Sequence, residues 1–271
     1  MTAEFREQMR RTRLFLLDMD GTLYLGDRLF PQTLPFLEAI RRSGADYMFL
    51  TNNSSRGTAD YVRKLERLGI LCEAGDFFTS THAAAVYLKK HHPGQLIYAL
   101  GTASFRAQLT ESGIAVTDRL EPAIGCLLIG YDTELNYQKI TDACALINRG
   151  LPYLATNPDW VCPTATGYLP DCGALAQMLE HATGRLPHVL GKPAPDIALL
   201  AMEKKGASPR ETALIGDRIY TDIACARAAG ALGVLVLSGE TKIESVAASG
   251  VQPDAVCGGI GDILHALHFS G

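Results

Sequence analysis

An α/β fold built on parallel strands is the class this sequence predicts, and three observations predict it. Short apolar runs of strand length alternate with amphipathic stretches of helix length along the chain. Several runs, LFLL and YMFL among them, are apolar at every position, as strands covered by helices on both faces should be. No repeat of fixed period and no low-complexity tract interrupts the alternation.

Taken in order, strands are expected over Leu14–Leu17, Tyr47–Leu50, Leu96–Leu100, Cys126–Ile129, Tyr153–Ala155, His188–Leu190, Ala213–Ile215 and Gly233–Leu237. Helices are expected over Thr58–Leu68, Ala103–Glu111, Tyr137–Asn148, Gly173–Ala182, Pro195–Lys205 and Asp222–Ala229. The first of these is the clearest: Tyr61, Val62, Leu65 and Leu68 form one stripe with charges opposite, and Gly69 supplies a stop.

Composition removes several functional classes. Lys and Arg total 25 against 29 Asp and Glu, a net charge of −4, and no basic run offers a face for nucleic acid. No apolar stretch approaches the ~20 residues that span a bilayer. The polar start MTAEFREQMRRTR lacks the apolar core of a signal peptide, so no membrane partner is expected and the cytoplasm is the expected compartment. Seven cysteines with no CxxC pair fit reduced thiols. Neither cysteines nor histidines show zinc spacing, and His265 and His268 fit a polar helix face.

In an open parallel sheet, ligands bind beyond the carboxyl ends of the strands. Four such ends carry polar chemistry: Asp18-Met19-Asp20-Gly21-Thr22 after LFLL, Thr51-Asn52-Asn53-Ser54 after YMFL, Gly191-Lys192-Pro193 after HVL, and Gly216-Asp217-Arg218 after ALI, with Thr221-Asp222 beyond. Carboxylates gathered that closely repel, which implies a cation, and an oxygen-only ligand set favours Mg²⁺. The hydroxyl and amide donors and Lys192 then suit a phosphate. A period of two sends Asp18 and Asp20 to one side, so one can attack phosphorus while the other moves a proton. Each stretch alone also fits a bland reading: a capping turn for DMDGT, a polar turn for TNNS, a solvated lysine for Lys192, a tight turn for Gly216-Asp217.

Together, "DMDGT", "TNN", "GKP" and "GDRIYTD", in that order at strand ends, resemble the four motifs of the haloacid dehalogenase (HAD) superfamily. The resemblance implies a HAD-like Rossmannoid core with an inserted α/β cap of the C2 type. It implies Asp18 as nucleophile, Asp20 as general acid and base, and Thr51 and Lys192 as phosphate ligands. Asp217 becomes a Mg²⁺ ligand together with the Asp18 side chain and the Asp20 main-chain carbonyl, and Asp222 steadies Lys192 or the metal's waters. One modest βα stretch fits between Asp20 and Thr51, whereas Lys192 lies 141 positions after Thr51, enough for an inserted domain that can close over a crevice and select the leaving group. The expected division is therefore a core of residues 1–80 and 188–271 and a cap of residues 81–187.

With "TNNSSR" before the insertion and "ATNPDWVCPTATGYLPDCGALAQMLEHATG" leading back to "GKP", the chain resembles the NagD-like, or p-nitrophenylphosphatase-like, branch. Members are Mg²⁺-dependent phosphatases of small esters such as nucleotide monophosphates, sugar phosphates, phosphoglycolate and pyridoxal phosphate, and some dimerise through the cap, which leaves a homodimer open here. By the same resemblance Asn52 and Asn53 join Thr51 around the phosphate, and 157–163 belong to the cap loop facing substrate. Two positions depart from the branch: Asp171 replaces a glycine in its Pro-Gly-x-Gly stretch, and Cys162 stands where the pyridoxal-phosphate enzymes carry His. Trp160, the sole tryptophan, suits stacking on a base or ring, packing in the cap's own core or a subunit contact. A phosphomutase and a silent phosphate-binding protein remain alternatives; Asp20 argues against a dehalogenase, and the missing GxGxxG and GxxxxGK[ST] argue against dinucleotide-dependent oxidoreductase and P-loop readings.

Overall fold

The computed structural model describes residues 2–164 and 167–268, so Ala165 and Thr166 of the cap-loop stretch lie outside the described residues. The chain divides into two compact units: residues 1–51, 62–78 and 192–271, and residues 52–61 and 79–191. The first chain crossing thus falls just after Thr51, inside the polar TNNS stretch, and the return falls between Gly191 and Lys192.

The first unit is built on a six-stranded sheet in the order Ala255–Cys257, Leu232–Val236, Thr212–Gly216, Leu14–Leu17, Asp46–Thr51, Phe77–Thr79. Leu14–Leu17 pairs parallel with both Thr212–Gly216 and Asp46–Thr51, setting Leu17 opposite Ile215 and Phe49. Later strands of the chain run outward on one side of it and earlier ones on the other, so Leu14–Leu17 occupies the topological switch point of the sheet. All four of its residues are buried. Phe15 stands edge-on to Phe36 of the helix Thr33–Arg42, ring centroids 6.3 Å apart.

The second unit has its own five-stranded sheet, ordered His188–Val189, Tyr153–Ala155, Ile124–Ile129, Leu96–Leu100, Val116–Thr117, and every pairing in it is parallel. The period-two alternation sorts its side chains into two cores. Ile97, Ala99, Cys126, Leu128 and Leu154 pack with Phe105 and Leu109 of the helix Ala103–Glu111. Tyr98, Leu100, Leu127, Ile129 and Tyr153 pack on the other face with Ala143 and Leu146 of Tyr137–Asn148 and Leu175 and Leu179 of Cys172–Thr183. Covering both faces explains why these strands read as uninterrupted apolar runs.

Two expectations are corrected. The strand before Lys192 does not extend the first sheet: His188 pairs with Leu154, and Val189 and Leu190 pack into the second unit's cores, so their apolar side chains are satisfied there. The helix expected from Asp222 is preceded by a π-turn over Ile219–Ile223 and becomes regular at Ala224–Ala229. Asp171, the departure from Pro-Gly-x-Gly, acts as N-cap of Cys172–Thr183 at an unstrained φ of −102°, its carboxylate accepting from the Cys172 N–H. Gly173 is the position with no room: a Cβ there would lie 2.2 Å from the Pro158 carbonyl oxygen.

Among the described residues no helix is long and apolar enough to cross a membrane. Phe15 is wholly buried at the switch-point strand, so Phe15→Ala should destabilise the first unit by about 3–5 kcal/mol. Chemical denaturation followed by circular dichroism checks this, and a loss under about 1 kcal/mol would show that the site around Phe15 collapses to fill the gap.

Candidate active site

Because Leu14–Leu17 and Thr212–Gly216 are parallel neighbours, Asp18 and Asp217 leave the sheet on the same edge, and the Asp18 N–H still donates to the Ile215 carbonyl at 2.9 Å. Thr51 ends the adjacent strand on the other side and is buried. Lys192 Nζ lies 2.8 Å from Asp18 Oδ1 and 2.6 Å from Asp222 Oδ1, and donates to the Leu50 carbonyl at 3.3 Å. It is 2 % exposed, an ammonium that burial alone would not tolerate.

One oxygen from each of Asp18, Asp217 and Asp222 falls within 4.8 Å of the others. Burial pushes the Asp18 carboxyl above the usual range; Lys192 pulls it back and Asp222 pushes it up further. Burial likewise raises Asp217, the Asp18 and Asp222 charges raise it further, and the Glu240 N–H opposes them. Burial works against the charge on Lys192, yet its two carboxylate partners outweigh it and hold the ammonium above its ordinary range. Three carboxylates against one ammonium leave an excess of two negative charges, the charge of one divalent cation.

The donor set fits such an ion. Asp217 Oδ2 accepts from the Glu240 N–H at 2.6 Å, while Asp217 Oδ1 is buried with no hydrogen-bond partner. A buried carboxylate oxygen left in that state needs a proton or a cation. Asp222 is occupied differently: Oδ1 takes Lys192 and Oδ2 takes the Arg218 N–H at 3.1 Å. Asp18 and Asp217 are therefore the side chains suited to a hard cation, with Asp222 holding Lys192 behind them. Two glycines make room: a Cβ on Gly216 would fall 2.2 Å from Asp222 Cγ, and one on Gly239 2.0 Å from Asp217 Oδ2.

Asp20 sits apart from this cluster. Its side chain is 42 % exposed, with Oδ2 3.8 Å from Lys64 Nζ and Oδ1 accepting from the Gly26 N–H at 3.3 Å. Partial burial raises its carboxyl, against the pull of Lys64 and the Gly26 N–H. Lys64, itself 14 % exposed, lies 4.2 Å over the Tyr24 ring. In the sequence it belongs to the charged face of an amphipathic helix; the fold sets it beside Asp20 and Tyr24. Asn52 and Asn53 fall in the second unit. The Asn52 amide donates to Asp159 at 3.0 Å, its carbonyl accepts from Ser80 and Asn157, and Asn53 Oδ1 accepts from Ser55. Glu240 was also missed, although it follows the strand Leu232–Val236 and the strand-end rule applies to it equally.

Comparison with known proteins agrees with this geometry. The family pattern described as haloacid dehalogenase-like hydrolase matches residues 15–115, and a HAD-hydrolase-like pattern matches residues 189–263. An acid sugar phosphatase of Staphylococcus aureus is 30% identical over 245 residues, 90% of this chain and 94% of that protein. The chain belongs to the haloacid dehalogenase-like hydrolases. The crystal structure of a 4-nitrophenylphosphatase from Thermotoga maritima superposes on this hydrolase with a TM-score of 0.91 at 35% identity, covering 96% of this chain and 99% of that one. A glycerol phosphate phosphatase from Mycobacterium tuberculosis, solved in complex with calcium, gives a TM-score of 0.87 at 26% identity, covering 96% of this chain and 76% of that one. The hydrolase lies in the NagD-like, p-nitrophenylphosphatase-like branch and is a phosphoric monoester hydrolase.

Like-charge crowding at Asp217 predicts that this hydrolase is less stable without a cation than it could be. Asp217→Asn should melt above the wild type in chelator, because it removes one charge from the cluster and keeps an acceptor for the Glu240 N–H. Millimolar divalent cation should raise the melting temperature of the wild type, and the variant should lose that rise. Thermal melts with and without the cation check both.

Proposed function

We propose that this hydrolase releases phosphate from small phosphate monoesters through an aspartyl-phosphate on Asp18, with Mg²⁺ as the divalent cation. The observation that carries the reading is the Asp18 carboxylate at the sheet's switch point, hydrogen-bonded to a buried lysine and set beside the unpartnered Asp217 Oδ1. Asp18 attacks phosphorus as the bond from phosphorus to the ester oxygen breaks, and Asp20 gives its proton to the departing oxygen. Asp20 then takes a proton from water as that water attacks the aspartyl-phosphate, freeing phosphate and restoring Asp18. Thr51 and Lys192 hold the phosphoryl oxygens, and Asp222 orients Lys192.

Mg²⁺, when bound by the Asp18 and Asp217 side chains and the Asp20 carbonyl, supplies positive charge at the phosphoryl group. Asn52 and Asn53, whose side chains are engaged with Asp159 and Ser55, support the loop after Thr51. The second unit serves as the cap that selects the leaving group, and the names of the relatives favour sugar and polyol phosphates as its substrates. Seven free thiols support a reducing, cytoplasmic compartment.

The test is phosphate release from nucleotide, sugar, glycerol, glycolate and pyridoxal phosphates, with Mg²⁺ and with chelator. A few esters should turn over, only with Mg²⁺, and Asp18→Asn should lower the rate by roughly 10⁴-fold or more while melting as a folded protein. Undiminished turnover by Asp18→Asn would sink the nucleophile assignment.

The role of Asp20 has its own signature. Nitrophenolate leaves without needing a proton, so Asp20→Asn should still form the aspartyl-phosphate from 4-nitrophenyl phosphate and then stall. Stopped-flow absorbance should show a burst near one equivalent followed by a slow phase. Steady turnover at the wild-type rate would remove Asp20 from the mechanism.

A further inference from the structure

Glu240 makes two kinds of contact at once. Its N–H donates to Asp217 Oδ2 at 2.6 Å, while its carboxylate receives Arg218 Nε at 2.8 Å on Oε2 and the Tyr220 hydroxyl at 2.8 Å on Oε1. Arg218 and Tyr220 follow Asp217 in the chain, so residues 217, 218 and 220 are all tied to one residue of the opposite loop. That loop is pinned on either side: Ser238 Oγ donates to the Gly21 carbonyl at 2.7 Å and the Thr241 N–H to the Asp217 carbonyl at 3.2 Å. Gly239 passes so close to Asp217 that no side chain fits between them.

We propose that Glu240 is a positioning residue whose side-chain clamp on Arg218 and Tyr220 fixes the orientation of the Asp217 carboxylate and thereby favours Mg²⁺ over Ca²⁺. This rests on the proposed function, in which Asp217 is a metal ligand. With Oδ2 committed to the Glu240 N–H, the carboxylate cannot rotate freely, and Oδ1 is the oxygen left without a hydrogen-bond partner. Mg²⁺ demands near-octahedral ligands at about 2.0–2.1 Å, whereas Ca²⁺ accepts flexible ligands at about 2.3–2.6 Å. A carboxylate held from behind satisfies the first ion; a loosened one still satisfies the second. Groups behind a metal ligand commonly alter affinity by about 10- to 100-fold.

The experiment titrates MgCl₂ and CaCl₂ separately into the full-length wild type, Glu240→Ala, Glu240→Gln and Tyr220→Phe by calorimetry, with melting curves alongside. In Glu240→Ala the Mg²⁺ dissociation constant should rise about tenfold and that of Ca²⁺ by less than about threefold. Tyr220→Phe, which deletes one hydroxyl and leaves the fold undisturbed, should move the ratio of the two constants the same way by a smaller factor. Glu240→Gln, which retains one acceptor oxygen, should fall between wild type and Glu240→Ala. Unchanged constants in both Glu240→Ala and Tyr220→Phe, or an equal loss for both ions, would overturn the clamp. A wild type that binds neither ion would instead overturn the metal reading on which the clamp rests, so the two failures are distinguishable.

Discussion

The ammonium of Lys192, buried between the carboxylates of Asp18 and Asp222, is the interaction on which the first unit's active edge depends. Neither partner is tolerable alone: the lysine is removed from water, and the aspartates face one another and Asp217. Their mutual presence makes the arrangement affordable but not neutral. The excess negative charge stays on the cluster, and one oxygen of Asp217 within it has no hydrogen-bond partner. A site neutralised by its own side chains would be more stable and would have no electrostatic reason to take up a cation.

The backbone around the cluster is shaped by the same crowding. Gly216 and Gly239 each sit where a Cβ would overlap an aspartate, and Gly21, at a φ of +86°, both turns the chain after Asp20 and leaves room for Asp217. The π-turn over Ile219–Ile223 brings Asp222 back toward the end of its own strand, where it meets Lys192 and the Arg218 N–H. Single π-turns inside helices often accompany functional sites, and here the extra residue in the turn has a definable use. These local exclusions are tolerated because the central strand beneath them, Leu14–Leu17, is apolar at every position and paired in register on both sides.

Much of this was legible in the sequence because the strands at the switch point are fully apolar and end abruptly in Asp, Thr or Gly-Asp. Leu14–Leu17 was readable to the residue for that reason, and Leu96–Leu100, an apolar run of the other sheet, was readable because it stops at Gly101. The helix Ser80–His91 was not, because apart from Leu88 its buried positions are the small residues Ser80, Thr81, Ala83, Ala84 and Ala85, which give little amphipathic contrast. Ala3–Arg11 was hidden by polarity, since only Phe5 and Met9 among its residues are buried. The strand before Lys192 was assigned to the wrong sheet because an apolar run carries no mark of which sheet it joins. Pairing of His188 with Leu154 is a tertiary choice. Glu240 and Lys64 escaped for a related reason: their significance lies in partners distant in sequence, Arg218 and Tyr220 for one, Asp20 and Tyr24 for the other.

The two aspartates of DMDGT show how far environment, rather than residue type, divides labour. Period-two spacing predicts them on one side of an extended segment, but the Asp20 side chain stays out of the cluster, 42 % exposed, beside Lys64 and the Gly26 N–H. Asp18 points inward, where Lys192 favours its ionised form and holds Oδ1, with the Thr22 hydroxyl 3.5 Å from Oδ2. Asp20 stays near solvent, held by the Gly26 N–H and approached by Lys64, so a proton can reach it and leave it. Pairs of titratable groups set in contrasting surroundings are how one site keeps a nucleophile and an acid at the same pH. On that argument the surroundings of each carboxylate, more than the identity of either aspartate, separate the two proposed roles.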